Sequence, residues 1–185
     1  MKNTKFELTS EKNNFGEFRI RALCDFGDVK KGDLGGFVDS ESCLDANPED
    51  LSWIYDNSRV CNGSRVYNNS RVCNGSYVDN NSCVYNSIVY NSSVENSFMY
   101  ESIATINTMS ISGQIWDITF TDDKIKIGCQ NHTHEEWRNF TDEEISSMHD
   151  DALSWWNKWK GIIIGMSSIH RQKVENAKHA NRATK

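Results

Sequence analysis

The chain has 185 residues, 37% hydrophobic and 25% charged, with a formal net charge of −6. No apolar run approaches the ~20 residues that span a bilayer; the longest is 161–166, and the start, Met1-Lys2-Asn3-Thr4-Lys5, has no apolar stretch behind it, so the chain reads as neither membrane-spanning nor secreted and is expected in the cytoplasm. Residues 1–57 carry 12 acidic against 7 basic side chains, 58–113 three of each, 114–157 ten against three, and 158–185 one against seven, too acidic a body for a general nucleic-acid binder.

Residues 5–23 alternate in places, with Phe15, Phe18, Ile20 and Ala22 apolar. This predicts one or two strands that cap whatever follows.

The next segment repeats. Ser58-Arg59-Val60, Ser64-Arg65-Val66, Ser70-Arg71-Val72, Ser76-Tyr77-Val78 and Ser82-Cys83-Val84 recur at a six-residue step, with Asn-Gly or Asn-Asn between them. Ser52-Trp53-Ile54 precedes them, and Gly36-Phe37-Val38 and Ser42-Cys43-Leu44 stand before a loop around Asn47-Pro48-Glu49-Asp50. After Ser82 the step falls to five, through Ser87-Ile88-Val89, Ser92-Ser93-Val94, Ser97-Phe98-Met99 and Ser102-Ile103-Ala104, and on through Asn107-Thr108-Met109 to Ser112. Neither step suits an α-helix, whose apolar residues recur at three and four. A β-solenoid fits: each unit is a short strand with Ser and Val inward, and Asn or Gly turns the corner because it tolerates positive φ. Stacked coils then bury each valine on the next. Val60, Val66, Val72, Val78, Val84, Val89 and Val94 are the expected core.

The Leu/Ile/Val-x-x-x-Ser-x pattern resembles the hexapeptide repeat of left-handed β-helix proteins, a family that includes many acyltransferases. It is similar in particular to hexapeptide-repeat proteins of phages and enteric bacteria labelled for acyltransferase likeness. The similarity lies in 25–32 (DFGDVKKG), 35–39 (GGFVD), 52–57 (SWIYDN), Gly128-Cys129, Thr133, Glu135-Glu136-Trp137 and His149-Asp150, and covers roughly residues 20–165. The resemblance implies a left-handed coil and, for its enzymatic members, acetyl-coenzyme A and a histidine base. The five-residue half instead resembles pentapeptide-repeat proteins, which coil right-handed with four faces. Either the later corners are one residue tighter or that half is a different coil.

Residues 114–120 alternate, 121–123 turn and 124–128 return, which predicts a hairpin. Thr133 with Glu136, and Thr141 with Glu144, have the spacing of capping boxes for two short helices. Leu153, Trp156, Trp159, Ile163 and Met166 predict an amphipathic helix over 151–169, weakened by Gly161 and Gly165. The expected organisation is mainly β: N-terminal capping strands over 1–35, a parallel solenoid over 36–113, a hairpin-plus-helix unit over 114–170 and a frayed basic tail over 171–185.

The chemistry is sparse. The six cysteines form no Cys-x-x-Cys pair and read as free thiols, with Cys61, Cys73 and Cys83 at outward positions. Cys129, His132 and His134 supply three metal ligands without an evident fourth, so no metal is expected. The five histidines all lie outside 36–128, which leaves the coil without a general base. Arg59, Arg65 and Arg71 fall on successive faces and do not converge on a coenzyme A phosphate. His149 is the one candidate for an active role, its ordinary reading being a helix-end histidine. No catalytic residue and no cofactor are expected. The expected function is binding of a protein partner, a host or defence factor in a phage-like setting. Its surface is the acidic, aromatic stretch Asp142, Glu143, Trp155, Lys158, Trp159 and Lys160. An acyltransferase-like enzyme and a structural protein are the alternatives. A homo-oligomer through Tyr67, Tyr77 and Tyr85 is also expected.

Overall fold

The computed structural model describes residues 3–112 and 115–183. Gly113 and Gln114, at the expected boundary between solenoid and hairpin, lie outside the described residues, as do Met1, Lys2, Thr184 and Lys185. Strands and helices are numbered along the chain.

β1 (Phe6–Lys12) and β2 (Phe18–Ala22) form an antiparallel hairpin, and β2 pairs antiparallel with β3 (Leu34–Val38). From β3 onward the chain winds into three parallel sheets, the sides of a β-solenoid of about three coils. The first side stacks β3, β5 (Arg59–Val60), β8 (Tyr77–Asp79) and β11 (Ser93–Glu95). The second stacks β4 (Trp53–Ile54), β7 (Arg71–Cys73), β10 (Ile88–Tyr90) and β13 (Ile103–Ala104). The third stacks β6 (Arg65–Tyr67), β9 (Cys83–Tyr85) and β12 (Phe98–Tyr100), with Leu44 bridged to Val66.

Valine sits on valine: Val60 pairs with Val78 and Val78 with Val94, while Val66 pairs with Val84 and Val72 with Val89. All seven expected core valines are 0% exposed. Each contributes roughly 1.5–3 kcal/mol by burial.

The change of step leaves the number of sides unchanged. The same three sheets run through both halves, so the later corners are tighter and the pentad section is no separate coil. Ser76 lies 18 residues beyond Ser58, Ser87 17 beyond Ser70, Ser92 16 beyond Ser76 and Ser97 15 beyond Ser82. The corners supply the reason. A six-residue side turns on two successive left-handed residues, as at Asn62 and Gly63 (φ 52° and 74°) or Asn68 and Asn69 (56° and 64°). A five-residue side turns on one, at Asn86, Asn91, Asn96 and Glu101 (φ 44–49°). One left-handed residue fewer per corner shortens the coil by three residues without opening it.

Serine has a second use that the repeat does not display. The hydroxyl of every inward serine from Ser52 to Ser87 accepts the backbone N–H of the serine one coil on, as in Ser70 N to Ser52 Oγ, Ser82 N to Ser64 Oγ and Ser97 N to Ser82 Oγ (3.1, 3.1 and 3.2 Å). Of these hydroxyls, Ser70 donates to Tyr67 O, Ser82 to Asp79 O and Ser87 to Tyr85 O, each a corner carbonyl at 2.6 Å. Buried corner backbone that a regular sheet would leave unpaired is thereby satisfied.

Both ends of the coil are closed. At the start, Trp53 packs edge-on to Phe26 and Phe6 (centroids 5.4 and 6.4 Å). Gly36 lets β3 seat there, since a Cβ would meet Ser58 O at 2.3 Å. At the far end, Asp123 Oδ1 accepts the Ile103 N–H (2.9 Å) and Asp122 Oδ2 the Thr105 N–H (3.0 Å). These carboxylates satisfy a strand edge that no further coil covers.

β14 (Met109–Ile111), β15 (Ile118–Phe120), β16 (Lys124–Ile127) and β17 (Gln130–Thr133) form a four-stranded antiparallel meander. The expected hairpin is its centre. The repeat expected to run on through Asn107-Thr108-Met109 to Ser112 instead leaves the coil, with Met109–Ile111 pairing with β15, and Gln130–Thr133 adds a fourth strand. α1 (His134–Asn139) and α2 (Asp142–Met148) begin at Thr133 and Thr141, and both capping boxes are complete. α3 (Ala152–Ala183) is 32 residues long and absorbs the basic segment expected to fray. Its buried face, Ala152, Trp156, Ile163, Ser167, His170 and Val174, continues past the expected end at residue 169. Packing along that face outweighs the ~1 kcal/mol each that Gly161 and Gly165 cost.

Candidate functional site: an aromatic slot beneath the long helix

The second core gathers Ile118, Phe120, Ile125, Trp137, Ile145, Trp156 and Ile163 from meander and helices. Beside it lies a half-open cavity of about 70 Å³, walled by Trp116, Trp137, Trp155, Trp156, Ile145 and Met148, with Ile127, Cys129, Gln130, His149 and Ala152 completing the lining. The capping box at Thr141 fixes the start of α2 and so the approach of Ile145 and Met148. His149 ends α2, accepts the Asp151 N–H on Nδ1 (3.1 Å) and lies edge-on to Trp116 (5.4 Å). It is a helix-end histidine at the rim.

The indoles differ in how they are satisfied. Trp137 Nε1 donates to Ile125 O at 2.7 Å. Trp155 and Trp156, 6% and 1% exposed, both line the slot, and their Nε1 atoms have no hydrogen-bond partner within the chain. A buried indole N–H usually finds one, because leaving it unpaired costs about 1–3 kcal/mol. The slot is therefore an apolar niche, and the two unpaired indole donors are covered within the residues that line it.

Of the six residues singled out from the sequence, Trp155 lines this slot and the other five do not. Asp142 and Glu143 are exposed in the first turn of α2, and Lys158 is exposed on α3. Lys160 is half-buried, its Nζ 5.7 Å from the Trp156 ring centroid. Trp159 is half-buried and stacks on Trp155 at 6.0 Å. Trp155 is buried as a wall of the slot and contacts Trp116 at 5.2 Å, so it is reached through the slot and not from the outer surface. The slot itself escaped sequence reading. The adjacent pair Trp155-Trp156 was its one visible signal, since neighbours on a helix point about 100° apart and so widen the apolar face that α3 presents.

The Cys129, His132 and His134 trio is split. Cys129 is exposed, His132 Nε2 lies 3.2 Å from Gln130 Oε1, and His134 is buried against Ser167 Oγ (2.7 Å) and Thr121 O (2.9 Å). Among the described residues no group of three or more His, Cys, Asp or Glu is arranged to hold a metal ion.

On the coil, Arg59, Arg65 and Arg71 do fall on the three different sides. Arg59 pairs with Glu17, and Arg71 with Asp28. Cys61 departs from its expected outward position: it is 4% exposed, beneath a polar network in which Tyr77 Oη and Asn62 Nδ2 both donate to Asp79 (2.6 Å each). Burial pushes the Glu17 carboxyl up, but bonds from Arg59 and Asn13 outweigh it and hold the group below its ordinary value. This network fastens the N-terminal hairpin to the first side. Burial pushes the Cys43 and Cys61 thiols up to about 12, so both are protonated at neutral pH. Iodoacetamide at pH 8 should label exposed Cys129 in the native protein and reach Cys43 and Cys61 only after denaturation, as read by peptide mass spectrometry. Native labelling of Cys61 at the rate of Cys129 would contradict this placement.

Fold and site together define a short three-sided β-solenoid carrying a meander-and-helix unit. No family model matches the chain, and no curated protein matches it either. No helix among the described residues is long and apolar enough to cross a membrane.

Proposed function

We propose that the protein works by binding a protein partner, with the solenoid as a rigid mount and the meander-and-helix unit as the recognition surface. The observation that carries this reading is the aromatic slot with two unpaired indole donors. A peptide segment that enters the niche and displaces its wall supplies an apolar side chain and main-chain carbonyls for the indole donors of Trp155 and Trp156, which are covered in the empty slot. The slot's size suits one branched aliphatic side chain, the kind of buried anchor that dominates interface energy. The exposed acids of α2 and its exit, Asp142, Glu143, Glu144, Asp150 and Asp151, favour a segment with basic residues beside that anchor. In the phage-like setting that the hexapeptide resemblance implies, the partner is a host or defence protein met in the cytoplasm.

Intrinsic tryptophan fluorescence tests this with N-acetyl-leucinamide as the probe. A saturable change with a Kd on the order of 1–10 mM is expected for so small a ligand. N-acetyl-glycinamide, with no side chain to fill the niche, should give none. Ala152→Phe, which fills the slot from α3, should abolish the leucinamide response while leaving the thermal transition in place. A linear response identical for both amides, or one that survives Ala152→Phe, would overturn the reading.

A further inference from the structure

Of the coil's three arginines, two are neutralised and one is not. Arg59 pairs with Glu17 and Arg71 with Asp28, whereas exposed Arg65 has no ion-pair or hydrogen-bond partner among the described residues. Arg65 stands on the third side, where the strand register sets Cys83 beside it and Phe98 beside Cys83. Over the Phe98 ring, 4.8 Å from its centroid, lies the Nζ of Lys126, carried there by the meander. Lys126 is half-buried, donates to Gly128 O and pairs with no carboxylate among the described residues. Neighbouring strands are about 4.8 Å apart, so the rungs of Arg65 and Phe98 are about 10 Å apart with Cys83 midway. Both long cationic side chains therefore reach a group seated over Cys83.

Tyr67 borders the same seat. Its ring packs edge-on against Tyr85 at 5.1 Å, and its Oη accepts the Cys83 thiol at 3.1 Å, which leaves the hydroxyl proton free to donate. Asn81 lines both the trough that holds Arg65, Tyr67 and Cys83 and the cleft that holds Phe98 and Lys126, so the two hollows meet at its side-chain amide. Asp45 and Asp117 border these hollows and neutralise neither cation: Asp45 Oδ1 accepts the Asn47 N–H, and Asp117 forms no ion pair among the described residues. Burial raises the Cys83 thiol, while the Tyr67 bond and then Arg65 and Lys126 pull it down, so the charges felt over this thiol are positive. Burial also lowers the Lys126 ammonium, a penalty that an anion beside it would offset.

We propose that the third side of the coil carries an oxyanion site over Cys83, in which Arg65, Lys126 and the Tyr67 hydroxyl hold a phosphate monoester. Two cations without a carboxylate of their own suit a ligand with two negative charges. A phosphate monoester carries them near neutral pH; a carboxylate or a nucleic-acid diester carries one. The site does not rest on the slot reading. Lys126 alternates with Ile127, which lines the slot, and so faces away from it.

Two-dimensional nitrogen–proton spectra of the full chain, at constant ionic strength, test the proposal with inorganic phosphate as the probe. At about pH 8, where phosphate is largely the dianion, the backbone signals of Arg65, Cys83 and Phe98 should move saturably with a Kd on the order of 1 mM, while those of Val72 and Val89 on the second side stay still. N-acetylglycine, a monoanion, should bind at least about tenfold more weakly. Arg65→Gln and Lys126→Met should each weaken phosphate binding about tenfold, the loss of one charge-assisted contact. Lys126→Arg should retain it, and Arg71→Gln, which removes a guanidinium already paired, should leave it unchanged. The leucinamide titration of Arg65→Gln should match that of the unaltered chain, so this proposal and the slot reading fail separately. N-acetyl-phosphoserinamide that binds more tightly than inorganic phosphate assigns the site to a phosphorylated residue of a partner; equal binding assigns it to a small phosphate. No saturation by about 50 mM phosphate, binding that survives both Arg65→Gln and Lys126→Met, or an equal loss in Arg71→Gln would each overturn the proposal.

Discussion

Ser82→Ala should lower the unfolding free energy by about 2–3 kcal/mol, whereas Ser93→Ala should change it by less than about 0.5 kcal/mol. Both serines belong to repeat units and differ only in where they point. Ser82 is 1% exposed, and its hydroxyl donates to Asp79 O (2.6 Å) and accepts the Ser97 N–H (3.2 Å). Alanine keeps most of the volume, leaves the buried Ser97 N–H unpaired, and strips hydroxyl bonds from Asp79 O, which keeps the Ser82 N–H, and from Val94 O. The Ser93 hydroxyl faces outward and bonds only the Glu95 carboxylate at 2.7 Å. For a chain of this length the Ser82 loss corresponds to roughly 4–10 °C in Tm. Urea titrations of the two variants check it. Equal effects would mean that the serines are there for size alone.

Acid should destabilise the protein well before its carboxylates titrate. His134 and His170 are 3% and 0% exposed and stack at 6.2 Å under α3. His134 Nε2 donates to Thr121 O, which leaves Nδ1 to accept the Ser167 hydroxyl; both ring nitrogens of His170 are unpaired. Burial, with His134 and Lys173 nearby, pushes the His170 imidazole down to about 4, and burial lowers His134 as well. The unfolded chain thus takes up protons from about pH 6.5, while the folded one does not. Stability is full above about pH 6.5 and falls as the pH drops towards 4, by on the order of 1–3 kcal/mol after allowance for solvent screening. His170→Leu should flatten the decline between pH 6.5 and 4.5, measured by urea unfolding at each pH, because the carboxylates are common to both proteins. An equally steep decline in the variant would show that other groups drive it.

Much of the coil was legible because a solenoid's core is a local period. Val60 to Val94 needed only counting. The capping boxes at Thr133 and Thr141 were legible for the same reason, as each is complete within four residues. Long-range choices were hidden. Nothing in Met109–Ile111 distinguishes another coil side from an antiparallel partner for Ile118–Phe120; the partner lies across a loop and wins by pairing. Cys61 looked outward in its repeat, and became buried because Glu17, far away in sequence, folds over it. The slot needed four elements to converge before it existed. The hydroxyl ladder was hidden because small size alone accounted for serine.

The central claim, that the slot between Trp155 and Trp156 is where this protein binds, is tested most directly by the indole N–H resonances in two-dimensional nitrogen–proton spectra. They would be assigned with Trp155→Phe, Trp156→Phe and Trp53→Phe and followed through a titration with N-acetyl-leucinamide. Occupancy should move the Trp155 and Trp156 signals downfield and saturably, as the donors gain an acceptor, while Trp53 in the solenoid stays still. Trp155 and Trp156 signals that remain fixed at saturating probe, or that move no more than that of Trp53, would contradict it.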